Sequence, residues 1–463
     1  MRRRAIPAVP AAIVVPISPH QSSARGETGR TRGILALSVI LFALAGSVAY
    51  GQDPLQDGNR QLKKSTGGKV YFTFEERTRW EERDGVSFGK AVNQQDMLSR
   101  LRIGFGYNAT SWLSLYAMGQ DTRAPFYGVV APNNLRDTID LQEANIHLFD
   151  QRDKGFGAAF GRSMLDYGES RVIGTPQWTN TARTYDQGRL YYRTRHARFE
   201  MLMVSPVKVL PDSFNVPDLG ERIWGAYNAF TKFWHGASID AYALRHSQNK
   251  IGGFTGAGTL GTDTFGGRFY GPLHAGLAYS FEGIGQTGHI GSLTQRAYAW
   301  YARLSEQFDA GHAPVRLSIE YKGASGTRLG SATSGTYDQL SPANHDNFGH
   351  EDLFGWRNLK TLKSLDTVGL TKALSLNLMY TDEWLFSPSD ALYNSSGSSI
   401  AVSKTGAAGT HVGQEADVFL TYKHQAHTFG AGFGHFFKGE FVDLATPHIN
   451  PRYFYVFQQY SFR

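Results

Sequence analysis

Apolar and polar positions alternate along this chain almost continuously from residue 70 to its end. Val70, Phe72 and Phe74 fall on one side of an extended segment, with Tyr71, Thr73, Glu75, Arg77 and Arg79 on the other. Leu101, Ile103, Phe105 and Tyr107 oppose Arg100, Arg102, Gly104 and Gly106. Val315, Leu317, Ile319 and Tyr321 oppose Arg316, Ser318, Glu320 and Lys322, and Ala416, Val418, Leu420 and Tyr422 oppose Glu415 and Asp417. Successive side chains of a strand point to opposite faces, so this period of two predicts strands with one apolar and one wet face. Strands are predicted to start near residues 68, 95, 111, 137, 155, 186, 197, 221, 236, 262, 273, 291, 313, 357, 371, 411, 426 and 451. No segment of the chain predicts an amphipathic helix of ordinary length.

The connections alternate in length. Short ones fall at 109–110, 150–154, 196, 271–272, 370–371 and 424–425. Long ones fall at 82–94, 122–136, 163–185, 207–220, 246–261, 325–355, 385–410 and 438–450. An all-β, antiparallel up-and-down transmembrane barrel has short periplasmic turns and long extracellular loops, whereas a soluble sandwich has no reason to keep that parity. About 18 strands, with both termini on the periplasmic side, are therefore expected. The closing strand, Pro451–Arg463, ends in alternating aromatics.

Gly155–Arg195 adds chemistry to the pattern. Its second strand places Arg189, Tyr191, Arg193 and Arg195 on one face and Leu190, Tyr192 and Thr194 on the other. Unpaired guanidinium groups are not buried in a soluble core, but a barrel wall with water inside accepts them. Arg162 is expected on the same inner face, and the charged, aromatic loop 163–185 is expected to fold inward as a constriction.

Composition sharpens the picture at the N-terminus. The apolar run Gly33–Ala49 follows Arg25, Arg30 and Arg32 and ends in Ala49-Tyr50-Gly51, which predicts a signal peptide over 1–51. A short periplasmic segment, 52–67, then precedes the barrel, 68–463. The leader holds six arginines against one glutamate, so its removal lowers the formal net charge from +7 by five, to +2. Nucleic-acid binding is not implied, and any preference for anions must come from where charges sit. The chain has 52 glycines and no cysteine, which suits an exported β-protein built without disulfides.

Three stretches carry a family resemblance. Gly161-Arg162-Ser163-Met164-Leu165-Asp166-Tyr167-Gly168 continues through Arg171, Trp178-Thr179-Asn180-Thr181 and Arg183 to Asp186 and Arg189-Leu190. Tyr337-Asp338-Gln339-Leu340-Ser341-Pro342-Ala343-Asn344-His345 is the second. Val412-Gly413-Gln414-Glu415-Ala416-Asp417 with Gly434-His435-Phe436-Phe437-Lys438-Gly439-Glu440-Phe441 is the third. Together they resemble the alginate export family of outer-membrane barrels. That resemblance implies an 18-stranded barrel in the outer membrane of a Gram-negative-type bacterium, conducting a polyuronate through a lumen of arginines and some acids. Arg162, Arg171, Arg183 and Arg189 would belong to the selectivity region, with Glu415 and Asp417 facing them. Ser163, and Asp186-Gln187-Gly188, depart from the family pattern.

The candidate lumen set is thus Arg100, Arg102, Arg162, Arg171, Arg183, Arg189, Arg193, Glu75, Glu415 and Asp417. Guanidinium is planar, permanently charged and bidentate toward carboxylates, and several weak sites in series let a polyanion enter and leave. The expected partners are outer-membrane lipid, anionic polysaccharide or small anionic solutes, and periplasmic export machinery. The alternative is a generic anion-preferring or small-solute porin. A barrel-rim hydrolase, built on Ser341 beside His345, is a third class. No catalytic residues, cofactor or metal are expected: His424 and His427 fall on a turn without a second ligand cluster, Gly252–Gly261 lacks the strand–loop–helix context of a phosphate cradle, and no Gly-x-Ser-x-Gly occurs.

Overall fold

The computed structural model describes residues 53–127, 131–150, 152–251, 258–311 and 313–463. The expected leader, and the centre of the expected loop 246–261, lie outside the described residues. The chain divides into an N-terminal unit, 1–57, and a second unit, 58–463, that holds the barrel.

Eighteen strands form the wall, in an antiparallel meander, and three short ones lie in the long loops. They are β1 (Val70–Asp84), β2 (Gln94–Thr110), β3 (Leu113–Arg123), β4 (Asp137–Leu148), β5 (Gly155–Ser163) and β6 (Tyr185–Arg193). Next come β7 (Ala197–Lys208), β8 (Glu221–Trp234), β9 (Ala237–Ile251), β10 (Gly258–His274), β11 (Leu277–Ile290) and β12 (Leu293–Ala310). The last six are β13 (Ala313–Ala324), β14 (Leu359–Gly369), β15 (Leu374–Leu385), β16 (His411–His424), β17 (His427–Lys438) and β18 (Arg452–Phe462). Every start lies within four residues of its expected position. β1 pairs with β18, from Phe74 opposite Phe462 to Asp84 opposite Arg452, which closes the barrel and leaves no free edge. One connection breaks the length parity: β11 and β12 are joined on the long-loop side by Gly291-Ser292 alone.

The two faces sort as the alternation predicts. Leu101, Ile103 and Phe105 point outward, Phe105 being 61% exposed, while Arg100 and Arg102 between them are 2% exposed. Glycine has a packing role on the inner face. A Cβ on Gly106 would lie 2.0 Å from the Tyr71 ring, on Gly157 2.2 Å from Tyr191, and on Gly266 2.2 Å from Tyr242. Inward tyrosines therefore lie flat across the wall, each over a glycine of the neighbouring strand.

One helix departs from expectation. Pro54–Ser65 is α-helical although polar on most sides. Its Leu, Gln, Arg and Lys content supports helix, and the Asn59 carboxamide accepts the Phe72 N–H at 3.0 Å, tying residues 58–65 to β1.

Inside, the wall is not empty. Loops 164–184 and 325–358 turn inward and bury Val172, Ile173, Tyr337, Leu340, Phe354 and Trp356 in an apolar cluster shared with wall residues such as Tyr301. Ile173 and Ser341 form a parallel bridge between the loops.

Candidate functional site

Four guanidinium groups converge on one turn of loop 164–184. Arg77 donates to the carbonyls of Gln177 (3.0 Å), Trp178 (3.0 Å) and Thr179 (3.1 Å). Arg79 donates to Trp178 O at 2.6 Å and lies 4.2 Å over its ring. Arg100 reaches Gln177 O (2.9 Å), Thr179 O (3.0 Å) and Glu75 (2.6 Å). Arg102 bonds the side chains of Gln120 (2.8 Å) and Gln177 (3.0 Å) and lies 3.6 Å from Glu75. The arginine ladder of β1 and β2 is thus a fastener for backbone carbonyls, and Glu75 offsets its charge. The Asn180 carboxamide, fully buried, completes the attachment through the carbonyls of Ser99, Arg123 and Leu135.

The other end of the loop crosses to the far wall. Arg171 donates to Glu320 at 2.6 Å, lies 3.6 Å from Glu169 and sits 3.9 Å over the Tyr301 ring. Glu169 also accepts from Arg303 (2.5 Å) and Arg268 (3.3 Å), while Lys322 pairs with Glu320 at 3.1 Å. Burial would raise the Glu169 carboxyl, but Arg171, Arg303 and Arg268 outweigh it and hold it below the usual range. Between the two ends, Gly174 N–H donates to Ser341 O (2.9 Å), Ser341 N–H to Val172 O (3.0 Å) and Ala343 N–H to Ser170 O (2.9 Å). Arg183 donates to Pro342 O at 2.9 Å. The Ser341 hydroxyl is taken by Tyr185 at 2.9 Å, and His345 Nδ1 lies 2.8 Å from Asp352.

A column of rings stands beside this turn. Trp178 stacks on His345 (4.6 Å between centroids), His345 on His350 (4.7 Å), and His350 meets Phe419 on β16 (4.3 Å). Burial pushes His350 well below its ordinary value, with His345 and Lys363 adding to the effect. Above the turn, on the long-loop side, a cavity of about 730 Å³ is lined by Arg79, Arg83 and Arg183, by Glu351 and Asp352, and by Trp178 and His345; Arg83 donates to Glu351 O at 3.0 Å.

Three expectations need correction. Arg162 pairs in register with Asp186 and shares its strand face with the exposed Phe156 and Phe160, so it points away from Arg189. It makes a two-pronged contact with Asp186 (2.9 and 3.1 Å) at the outer rim. Strand parity does not carry across a connection, because pairing register decides which residues share a face. Arg195 lies beyond the end of β6, exposed in the turn to β7, and leaves its face. Glu415 and Asp417 do point inward, but their neighbours are acids. Glu415 accepts the Glu351 N–H at 3.0 Å, and Asp417 and Glu351 both border Gly434. Burial, with Asp417 beside it, pushes Glu351 up to about 8. The remaining inner arginines are partnered: Arg189 with Gln187 (2.9 Å) and Glu200 (3.5 Å), and Arg193 with Asp150 while lying 4.7 Å over Tyr191. Arg77, Arg79 and Trp178 are the residues that sequence reasoning left out of the set, although alternation had already put both arginines on the wet face.

An apolar exterior, a closed wall and inward loops define an outer-membrane channel barrel, and solved structures share that fold. Pseudomonas aeruginosa OccD3 (OpdP) aligns with a TM-score of 0.58 at 12% identity over 85% of this chain and 91% of that one. Pseudomonas aeruginosa OccK11 (OpdR) aligns at 0.57 and 11% over 85% and 96%. Pseudomonas aeruginosa OpdK, solved with vanillate, aligns at 0.55 and 11% over 85% and 98%. No curated protein matches the chain in sequence. The sequence model for alginate export matches residues 69–456, and the chain belongs to that family. It is a transport barrel of a Gram-negative outer membrane.

Proposed function

We propose that this barrel passes anionic oligo- or polysaccharide of the uronate class across the outer membrane. The observation that carries the reading is the outer cavity above the constricting loop, which Arg83 and Arg183 help to line. Arg183 spends Nη1 on carbonyls and stays partly exposed, so it can still meet a carboxylate. Asp352, which lines the same cavity, keeps a polyanion from binding too tightly to leave. Arg100, Arg102 and Arg171 act through the loop they hold, which makes them positioning residues. On this reading, periplasmic export machinery delivers the polymer to the short-turn mouth. The test is the reversal potential under a salt gradient, together with current block by oligouronates, in wild type and in R83Q/R183Q. Anion preference and block in the wild type, both weakened in the variant, are expected. Cation preference in the wild type refutes the proposal.

A second reading, passage of small carboxylate solutes, is favoured by the apolar cluster that the inward loops build within the wall. The fold relative solved with vanillate fits that scale. Block by a monomeric aromatic carboxylate, with none by oligouronates, would select it.

A further inference from the structure

The outer wall carries its own row of charge. Counting outward from the apolar belt, the outward position two residues beyond Trp224 is Arg222, beyond Tyr298 is Arg296, and beyond Leu362 is Lys360. Their faces follow from their neighbours. Trp224, Tyr298 and Leu362 are exposed, while the alternate residues Ile223, Ala297 and Thr361 are buried. All three cations lie at the long-loop ends of their strands, on the extracellular side. Arg245 joins them on β9, paired with Asp263 at 2.7 Å.

The register makes these one patch. Trp224 stands opposite Arg245, Arg245 opposite Asp263, Asp263 opposite Thr287, and Thr287 opposite Arg296. Arg222 lies opposite Ser247, one outward position above Arg245. At one strand spacing per step, Arg245 and Arg296 are about 14 Å apart. Like Arg245, two other outward arginines of the rim have an acid beside them: Arg123 has Asp121 (2.8 Å) and Arg162 has Asp186 (2.9 Å). The side chains of Arg222, Arg296 and Lys360 make no hydrogen bond, ion pair or ring contact among the described residues.

We infer that this face of the barrel, around Arg222, Arg245 and Arg296 with Lys360 further along the wall, binds the phosphate groups of phosphorylated glycolipid in the outer leaflet. The position argues for a lipid occupant, since the cations stand immediately outside an aromatic and apolar belt, at headgroup height. Charge complementarity argues for phosphate. Guanidinium is matched to phosphate in a two-pronged geometry, and cations near an anionic membrane surface each add attraction. Trp224 and Tyr298 would pack against the first carbons of the acyl chains, with Thr287 and Ser247 supplying hydroxyl donors between the cations. The inference is independent of what the lumen conducts.

The test is native mass spectrometry of the delipidated barrel in detergent, titrated with diphosphoryl lipid A, with its dephosphorylated form, and with inorganic phosphate. Wild type should retain the diphosphoryl form, and R222Q/R296Q should weaken it roughly thirtyfold, on the basis of the attraction typical of one surface cation taken twice. R222K/R296K should restore most of it. Conductance reports folding, since neither residue faces the lumen. Equal binding by R222Q/R296Q, equal binding of the dephosphorylated lipid, or displacement of the lipid by equimolar inorganic phosphate would each overturn the inference.

Discussion

Replacing Arg171 with glutamine should free the inner loop while leaving the wall intact. The arginine is 3% exposed and makes a 2.6 Å bond to Glu320 and a 3.9 Å ring contact with Tyr301. A charged hydrogen bond contributes about 1.5–3 kcal/mol, and a desolvated cation–ring contact contributes about 2 kcal/mol. The loss is smaller than for an isolated buried pair, because Glu320 keeps Lys322 at 3.1 Å and Glu169 keeps Arg303 at 2.5 Å. A net of about 3 kcal/mol follows, which raises the undocked population of residues 167–175 by roughly a hundredfold. Hydrogen exchange at the amides of Gly174, Ser341 and Ala343 reads that population directly, since all three donate across the two loops. Single-channel recordings should show added excursions to higher conductance. The partner change tests the cause: E320Q alone should also loosen the loop, but R171Q/E320Q should cost less than the two singles combined. Unchanged exchange at these amides in a folded R171Q barrel would refute the assignment of Arg171 as an anchor.

Deleting Ser170–Thr181 removes the turn that four arginines hold, and should raise conductance markedly; unchanged conductance in a folded barrel would show that the loop does not constrict the pore. Trp178→Ala loses the Arg79 contact and the His345 stack, and should cost about 2–4 kcal/mol of local stability, read as faster exchange at Thr181, whose N–H donates to Asn134 O. Glu351 titrates near 8 in the fold, above its ordinary value, so the stability it contributes is present at low pH and is lost as pH rises through 8. His350, held low, acts oppositely below 6.5. Between pH 6.5 and 8.5, proteolysis of loop 349–358 should therefore quicken in wild type and quicken less in E351Q.

The wall was legible in the sequence because its physics is local. Alternation assigned Arg100 and Leu101 to opposite faces without any knowledge of neighbours, and the strand starts followed from it. Pairing is not local. Whether Arg162 shares a face with Arg189 depends on a register fixed across a 21-residue connection, and a shift of one residue reverses the answer. The same limit hid the partners of Glu415 and Asp417, which are set by how loop 325–358 settles against β16. The fate of the arginines was hidden for another reason. A guanidinium facing water and one capping buried carbonyls look alike in a sequence, and only the carbonyls of Gln177–Thr179 distinguish them.

The link between Ile173 and Ser341 has a consequence for the order of assembly. Arg171 and Glu320 are 149 residues apart in the chain, and Tyr185 and Ser341 are 156 apart. Every wall contact between consecutive strands closes a far shorter loop, at a smaller entropic cost. A newly inserted barrel therefore zips its wall strand by strand, from hairpins that need only their neighbours. The interior can set only after β13 and the chain beyond it are in place. The seam of the wall joins residues further apart still, Arg452 and Asp84 being 368 apart, so on the same entropic ground the two inner segments can meet before β1 and β18 do. The bore is then already narrowed when the last seam of the wall forms.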